Sequence, residues 1–263
     1  MKFWESFKVA DKTCYCARLG PLQIWLLRDR HELKLFDSRL SEEEIINQEW
    51  ENISIPLEIC EKPDTENWNR WILSPEDAAI KFTPIMPDRP IVVRPLSSIQ
   101  ILPGNKTMFY VSIPVWIRIS TDKDQVLTEI PAVNLSNTWF GEPLTGELCY
   151  AIKSKAITNF EMRKVKNYTA ICPILIENYS PRNFIFRRIS IHTEFLSVFK
   201  GVKHLWTNEI EVRIEGDDQK SFIDFSDSAP DIEKIGEQLS ASREVPSKKL
   251  YRKMFADLPF IKG

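Results

Sequence analysis

Hydrophobic and polar residues alternate most strictly over residues 89–120, on either side of a Pro103-Gly104 turn. In the far arm Phe109, Val111, Ile113, Val115, Ile117 and Ile119 share one parity. Met108, Tyr110, Ser112, Pro114, Trp116 and Arg118 share the other. A strand sends successive side chains to opposite faces, so the odd set predicts a core-facing ribbon and the region a half-buried strand pair. Leu102-Pro103-Gly104-Asn105 suits a type II turn, with proline presetting φ and the glycine supplying a positive φ. Pro114 has no amide hydrogen for a ladder, which predicts an edge strand or a bulge at that point.

The same rhythm recurs along the chain. Residues 13–18, 22–28 and 32–36 predict a meander, and 147–152, 169–177 and 208–215 predict further strands. Phe222, Ile223 and Phe225 suggest a last short one. Gly141, Pro143 and Gly146 mark a loop that carries Trp139 and Phe140. Asn178-Tyr179-Ser180-Pro181 reads as a turn, and the apolar parity changes at Arg187-Arg188, which predicts a bulge or bend.

Three stretches read differently. Ser41 to Glu44 forms a capping box before Ile45, Ile46 and Trp50, predicting a short helix. Residues 61–88, punctured by Pro63, Pro75, Pro84 and Pro87, read as a connector packed on a sheet through Trp68 and Trp71. A helix is expected from Ser228, with Pro230 in its first turn and Ile232, Ile235 and Leu239 on one stripe. A second is expected over residues 247–255. The pattern therefore predicts an all-β protein: an antiparallel β-sandwich of one or two packed modules with a short helical C-terminal tail. The expected organisation is a β-meander module over residues 1–75, a sandwich module over 76–226 and a tail over 227–263.

Composition narrows the function more by exclusion than by assignment. Eight Trp, fifteen Phe and six Tyr supply core filling, and seventeen Pro against eight Gly argues for rigid turns over long helices. A net charge of −2 gives no chain-wide surface for nucleic acid or anionic lipid, so no nucleic-acid partner is expected. Glu5, Lys8 and Asp11 interrupt the N-terminal stretch, which lacks the apolar centre of a signal peptide. No segment reaches the ~18 apolar residues of a membrane span. A soluble, cytoplasmic protein is expected. Five cysteines, an odd number, favour reduced thiols. Cys14 and Cys16 share a strand face; ordinary thiols are the reading, with a redox or metal role as the alternative.

Catalytic signatures are missing. There is no G-x-S-x-G elbow and no phosphate-binding glycine loop. Only His31, His192 and His204 are available, and a His192–His204 metal pair would need a carboxylate from elsewhere. Glu209, Glu211 and Glu215 alternate as the wet side of a half-buried strand does. No catalytic residue, metal ligand or cofactor is expected. The pattern's best candidate chemistry is aromatic display. Tyr110, Trp116 and Arg118 share one face, Trp139 and Phe140 sit in a Gly/Pro loop, and Arg187 and Arg188 supply cations. Such platforms stack sugars or bases or anchor a protein partner; the competing reading is that a second layer covers them. Residues 207–239 hold ten acids and three bases, whereas 243–263 hold six bases and two acids. The basic tail can dock on a partner or fold back on the acidic strand.

The segments DRPIVVRP, ILPG, FYVSIPVWIRI, WFGEPLTGELCYAIKS and ILIENYSPRNFIFRRISI, in that order, resemble the domain-of-unknown-function-432 family of bacterial and archaeal proteins. LGPLQIWLLRDRHELKLF extends the resemblance toward the start. Its best part covers roughly residues 70–225. It implies an intact domain and brings no substrate, cofactor or catalytic residue. The expected function is a non-enzymatic protein-interaction or adaptor module, working through a strand edge near Pro114, the aromatic loop or the basic tail. The alternative is a carbohydrate-binding module or a hydrolase with an aromatic cleft between β modules.

Overall fold

The computed structural model describes residues 2–41, 52–56, 67–73, 79–160, 165–215, 220–232, 234–245 and 250–252. Strands are β1 (Ser6–Lys8), β2 (Thr13–Leu19), β3 (Leu22–Asp29), β4 (Glu32–Arg39), β5 (Asn52–Pro56), β6 (Asn69–Ile72) and β7 (Ala79–Ile85). Then come β8 (Ile91–Pro95), β9 (Ile99–Ile101), β10 (Lys106–Pro114), β11 (Trp116–Thr121), β12 (Val126–Pro131), β13 (Ser136–Phe140) and β14 (Glu147–Ala156). The last are β15 (Thr169–Asn178), β16 (Phe184–Phe186), β17 (Ile189–Ile191), β18 (Val198–Gly201), β19 (Leu205–Thr207), β20 (Ile210–Glu215), β21 (Lys220–Phe225), β22 (Ile235–Ser240) and β23 (Leu250–Arg252). The protein is all-β, with several antiparallel sheets.

The chain divides into two compact units. The first takes Met1–Pro84, Val115–Asn134 and Lys166–Tyr168; the second takes Ile85–Pro114, Leu135–Val165 and Thr169–Gly263. In the first unit the predicted meander forms, in strand order β5-β2-β3-β4-β6. Leu22, Ile24, Leu26, Leu33 and Leu35 alternate into its core, as their period of two requires. A second sheet runs β1-β7-β11-β12. Phe7 stacks on Tyr15 with ring centroids 3.9 Å apart, and Phe82 meets Phe3 and Phe7 edge-on or tilted.

In the second unit β15 is the central strand. It pairs antiparallel with β10 over nine residues, from Lys106↔Glu177 to Pro114↔Thr169. On its other side it pairs in parallel with β19 and then β20. These two strands are joined through Thr207, Asn208 and Glu209, where the neighbouring strands part: β18 follows β19, and β21 follows β20. The buried amide of Asn208 bridges the split. It accepts from Ser197 N–H at 2.9 Å and donates to Ser226 O at 2.9 Å. A further sheet runs β13-β14-β8-β17, with β14 and β8 parallel.

Several expectations hold. Phe109, Val111, Ile113, Val115, Ile117 and Ile119 are all fully buried. Asn105 N–H closes the Pro103-Gly104 turn on Leu102 O, and Gly104 has φ +71°. The ladder of β10 stops at Pro114, and the chain breaks between β16 and β17 at Arg187-Arg188.

Others are corrected. The two arms of the opening ribbon do not pair with each other: β9 pairs with β16, β8 with β14 and β17, and β10 with β15. The expected connector contains two strands, β6 and β7, because its apolar residues find sheet partners on β4 and β1. The ladder is not purely antiparallel. The helix expected after Ser228 is absent: Ile235 and Leu239 lie on β22, drawn into strand conformation by the open edge of β18. In the second expected helix, residues 250–252 are strand β23, paired with β21. The helix predicted after Ser41 falls outside the described residues. Cys14 is disulfide-bonded, so the thiols are not all reduced; Cys16, Cys149 and Cys172 are free.

Candidate functional site: an aromatic hairpin

The candidate aromatic residues do not form one group. Trp116 and Arg118 lie in the first unit, and Tyr110, Trp139, Phe140, Arg187 and Arg188 in the second. Arg118 is engaged: its Nε and Nη2 both reach Glu129 Oε1 at 2.8 Å on the adjacent strand β12. Trp116 is half-buried beside it. Tyr110 exchanges backbone hydrogen bonds with Ile157, and its ring rests 5.5 Å from that of Phe160. Burial raises its hydroxyl pKa, with the Glu209 carboxylate adding to the effect. Much of the even face of the far arm is thus buried or half-buried.

Trp139 and Phe140 are different. They close β13, whose register with β14 is regular: Ser136↔Ala151, Thr138↔Cys149, Trp139↔Leu148, Phe140↔Glu147. Directly opposite residues share a face, so Trp139 and Leu148 stand side by side. They are 48% and 44% exposed, and Leu144 in the joining loop is 97% exposed. Phe140 points the other way and is buried, with the Arg188 guanidinium 5.3 Å from its ring centroid. Arg187 is exposed.

The loop is built to hold the tryptophan still. Trp139 Nε1–H donates to Glu142 O at 3.0 Å, and Gly146 N–H donates to the same carbonyl at 2.8 Å. Gly141 takes φ +99°, a region that only glycine enters cheaply. A Cβ on Gly146 would lie 2.5 Å from both Phe140 O and Trp139 Nε1. The glycines that marked a loop in the sequence are therefore what lets the indole lie against its own backbone.

Behind this hairpin runs a buried polar row. Ser190 Oγ donates to Glu147 Oε1 at 2.8 Å. His192 Nε2 lies 3.5 Å from the same oxygen, and its Nδ1 lies 2.8 Å from Glu194 Oε1. Cys149 Sγ is 3.7 Å from Ser190 Oγ. Burial pushes the Cys149 thiol up to about 11, and the Glu147 and Glu194 carboxylates raise it further against the hydrogen bond to Ser190. The grouping contains the atoms of a catalytic triad in an order that does not serve one. The serine faces a carboxylate instead of the imidazole, and Ser190 is fully buried, out of a substrate's reach. Its physical effect is to tie β14 to β17 across β8, bracing the inner strand of the hairpin.

Sequence reading did not find this row, since Glu147 and Ser190 are 43 residues apart and only the sheet order brings them together. His204 packs edge-on against Phe160, with ring centroids 5.8 Å apart. Among the described residues no group of three or more His, Cys, Asp or Glu side chains is placed to hold a metal ion. None of their helices is long and apolar enough to cross a membrane.

No curated protein and no solved structure matches the chain significantly. Residues 3–262 match a family described as protein of unknown function, DUF432. The likeness first seen over the central strands thus extends over nearly all of the sequence, and the chain belongs to the DUF432 family.

Proposed function

We propose that this protein is a non-enzymatic interaction module on a β-sandwich scaffold, and that it docks a protein partner on the hairpin β13–β14. The observation that carries the reading is Trp139: half-exposed, paired with exposed Leu148, and fixed by its own hydrogen bond to Glu142 O. An aromatic anchor whose rotamer is already set loses little entropy on binding, which is what a hot-spot residue needs. β13 pairs only with β14 among the described strands, so its outer edge offers a ladder to an incoming strand. Leu148 stands beside the indole and the indole N–H is already used, which favours a protein surface over a sugar.

The test places the photo-crosslinker benzoylphenylalanine at Leu144 of the full chain, in extract of the source organism. A discrete protein adduct is expected, reduced about thirtyfold by Trp139→Ala, the effect of losing about 2 kcal/mol at a hot spot. The same probe at Val202, exposed elsewhere in this unit, is expected to give none. Lack of any adduct from Leu144, or an adduct indifferent to Trp139→Ala, would overturn the proposal.

A further inference from the structure

We infer that Cys14 and Cys16 form a thiol–disulfide exchange site, in which the Cys16 thiol takes over the disulfide of Cys14 and carries it to where an outside dithiol can open it. Cys14 is disulfide-bonded, whereas Cys16, Cys149 and Cys172 are free. Of the five cysteines in the sequence this leaves Cys60, which lies outside the described residues, as the partner of Cys14. Cys14 and Cys16 stand two apart on β2 and so share a face. The Cys16 sulfur lies 3.6 Å from the Cys14 sulfur. That is close to the roughly 3–3.5 Å from which a positioned pair reacts, so the attack needs a small displacement and no diffusion. A thiol beside a disulfide sets Cys16 apart: Cys149 and Cys172 belong to the second unit and meet oxygen atoms.

Exposure gives the pair its division of labour. Cys14 has no exposed surface, so a thiol from outside does not reach its sulfur; Cys16 is half-buried and keeps a side open to solvent. The first step is an exchange without net oxidation. Cys16 gives its thiol proton to water and attacks the Cys14 sulfur. The Cys14–Cys16 bond forms as the Cys14–Cys60 bond breaks, and the Cys60 thiolate leaves and takes up a proton. In the second step a dithiol attacks the Cys16 sulfur, expels the Cys14 thiolate and closes to its own disulfide. Two electrons and two protons pass to Cys14 and Cys16. Two residues of a strand span roughly 6.6–6.8 Å, at the top of the Cα separation that a disulfide bridges. The Cys14–Cys16 bond is therefore the less stable of the two and the more readily reduced. Trp25 and Leu27 stand opposite the two cysteines on β3, and burial raises the Cys16 thiol pKa. Little thiolate is present at neutral pH; the fixed position beside Cys14 offsets this.

The experiment follows reduction of the purified, oxidised full chain by dithiothreitol under native conditions, with acid quenching, alkylation and peptide mapping. Trypsin leaves Cys14 and Cys16 on one peptide and Cys60 on another, so the two bonded forms are told apart. The Cys14–Cys60 crosslink is expected to open roughly tenfold more slowly, or slower still, in Cys16→Ser than in the wild type. Melting of the variant beside the wild type checks folding. In the wild type without reductant, iodoacetamide is expected to mark Cys60 in part of the chains, with Cys14 and Cys16 bridged on their shared peptide. Equal opening rates in the wild type and folded Cys16→Ser would show that the dithiol attacks elsewhere and would overturn the exchange site. An oxidised chain with no bond at Cys14, or a wild type marked at Cys16 and never at Cys60, would overturn it as well. Should Cys16→Ser fold poorly, the labelling of the wild type decides alone.

Discussion

Asn208 shows how much one side chain can carry in a β protein. Its amide fills the gap where β18 and β21 part, serving Ser197 N–H and Ser226 O at once, and it is 4% exposed. Asn208→Leu strands one donor and one acceptor in the interior. A loss of about 2–4 kcal/mol is expected in a denaturant titration, since each buried orphan costs about 1–3 kcal/mol. Cys149 makes the opposite case, a reactive residue type made inert by its place. With its pKa near 11 and no exposed surface, it is expected to resist iodoacetamide at neutral pH and to label only on unfolding. Mass spectrometry of the labelled native chain checks this, and rapid alkylation of Cys149 would contradict the buried polar row. Neither residue announces itself in the sequence. Asn208 stands at the start of a cleanly alternating strand, and Cys149 is one apolar position among many. Burial parity, by contrast, was readable residue by residue, because the odd positions from Phe109 to Ile119 obey a rule internal to the strand.

At the scale of the element, the loop of the hairpin was legible because its chemistry is local. Gly141, Pro143 and Gly146 punctuate the chain wherever the strands lie. Gly146→Ala is expected to push the methyl against Phe140 O and the indole nitrogen, costing about 1–3 kcal/mol and freeing Trp139 from Glu142 O. A fall in melting temperature together with faster acrylamide quenching of tryptophan emission would register both effects; no change in either would mean that the loop tolerates the methyl. Strand pairing was not legible, because a period of two says which way a side chain points and nothing about which strand lies alongside. The ribbon on either side of Pro103-Gly104 looked like a hairpin, yet each arm finds distant partners. The C-terminal stripe of Ile232, Ile235 and Leu239 misled for a related reason. Its spacing suits a helix, but β18 presents an open edge, and residues 235–240 extend along it with an irregular register.

For the whole molecule, two bulk measurements bear on how the pieces support each other. Ending the chain after Ser242 removes β23 from β21, the hydrogen bond from Arg243 Nε to Met86 O and that from Glu244 N–H to Glu194 O. Melting is expected to fall by roughly 5–10 °C, from about 2–3 kcal/mol of lost pairing in a chain of this size. An unchanged melting temperature would return the basic tail to the role of a docking arm. Acid stability has an identifiable contributor in Glu177. The Tyr179 hydroxyl, donating at 2.9 Å, does most to hold its carboxyl below the usual range, and Lys106 and Arg213 lower it further. A carboxylate with a depressed folded-state pKa contributes stability that is present above its unfolded value and is lost as pH falls through the folded one. Tyr179→Phe is therefore expected to shrink the stability lost between roughly pH 6 and pH 3. A pH profile parallel to that of the wild type would show that the hydroxyl does not set this group.

The path of the backbone has a consequence for ancestry. The chain passes from one compact unit to the other at residues 84/85, 114/115, 134/135, 165/166 and 168/169. Neither unit could be gained, lost or exchanged between genes by one recombination event, since no single breakpoint separates the residues of one unit from those of the other. Inheritance of the pair as one block is what this path demands, and the family match over residues 3–262 takes in both units together.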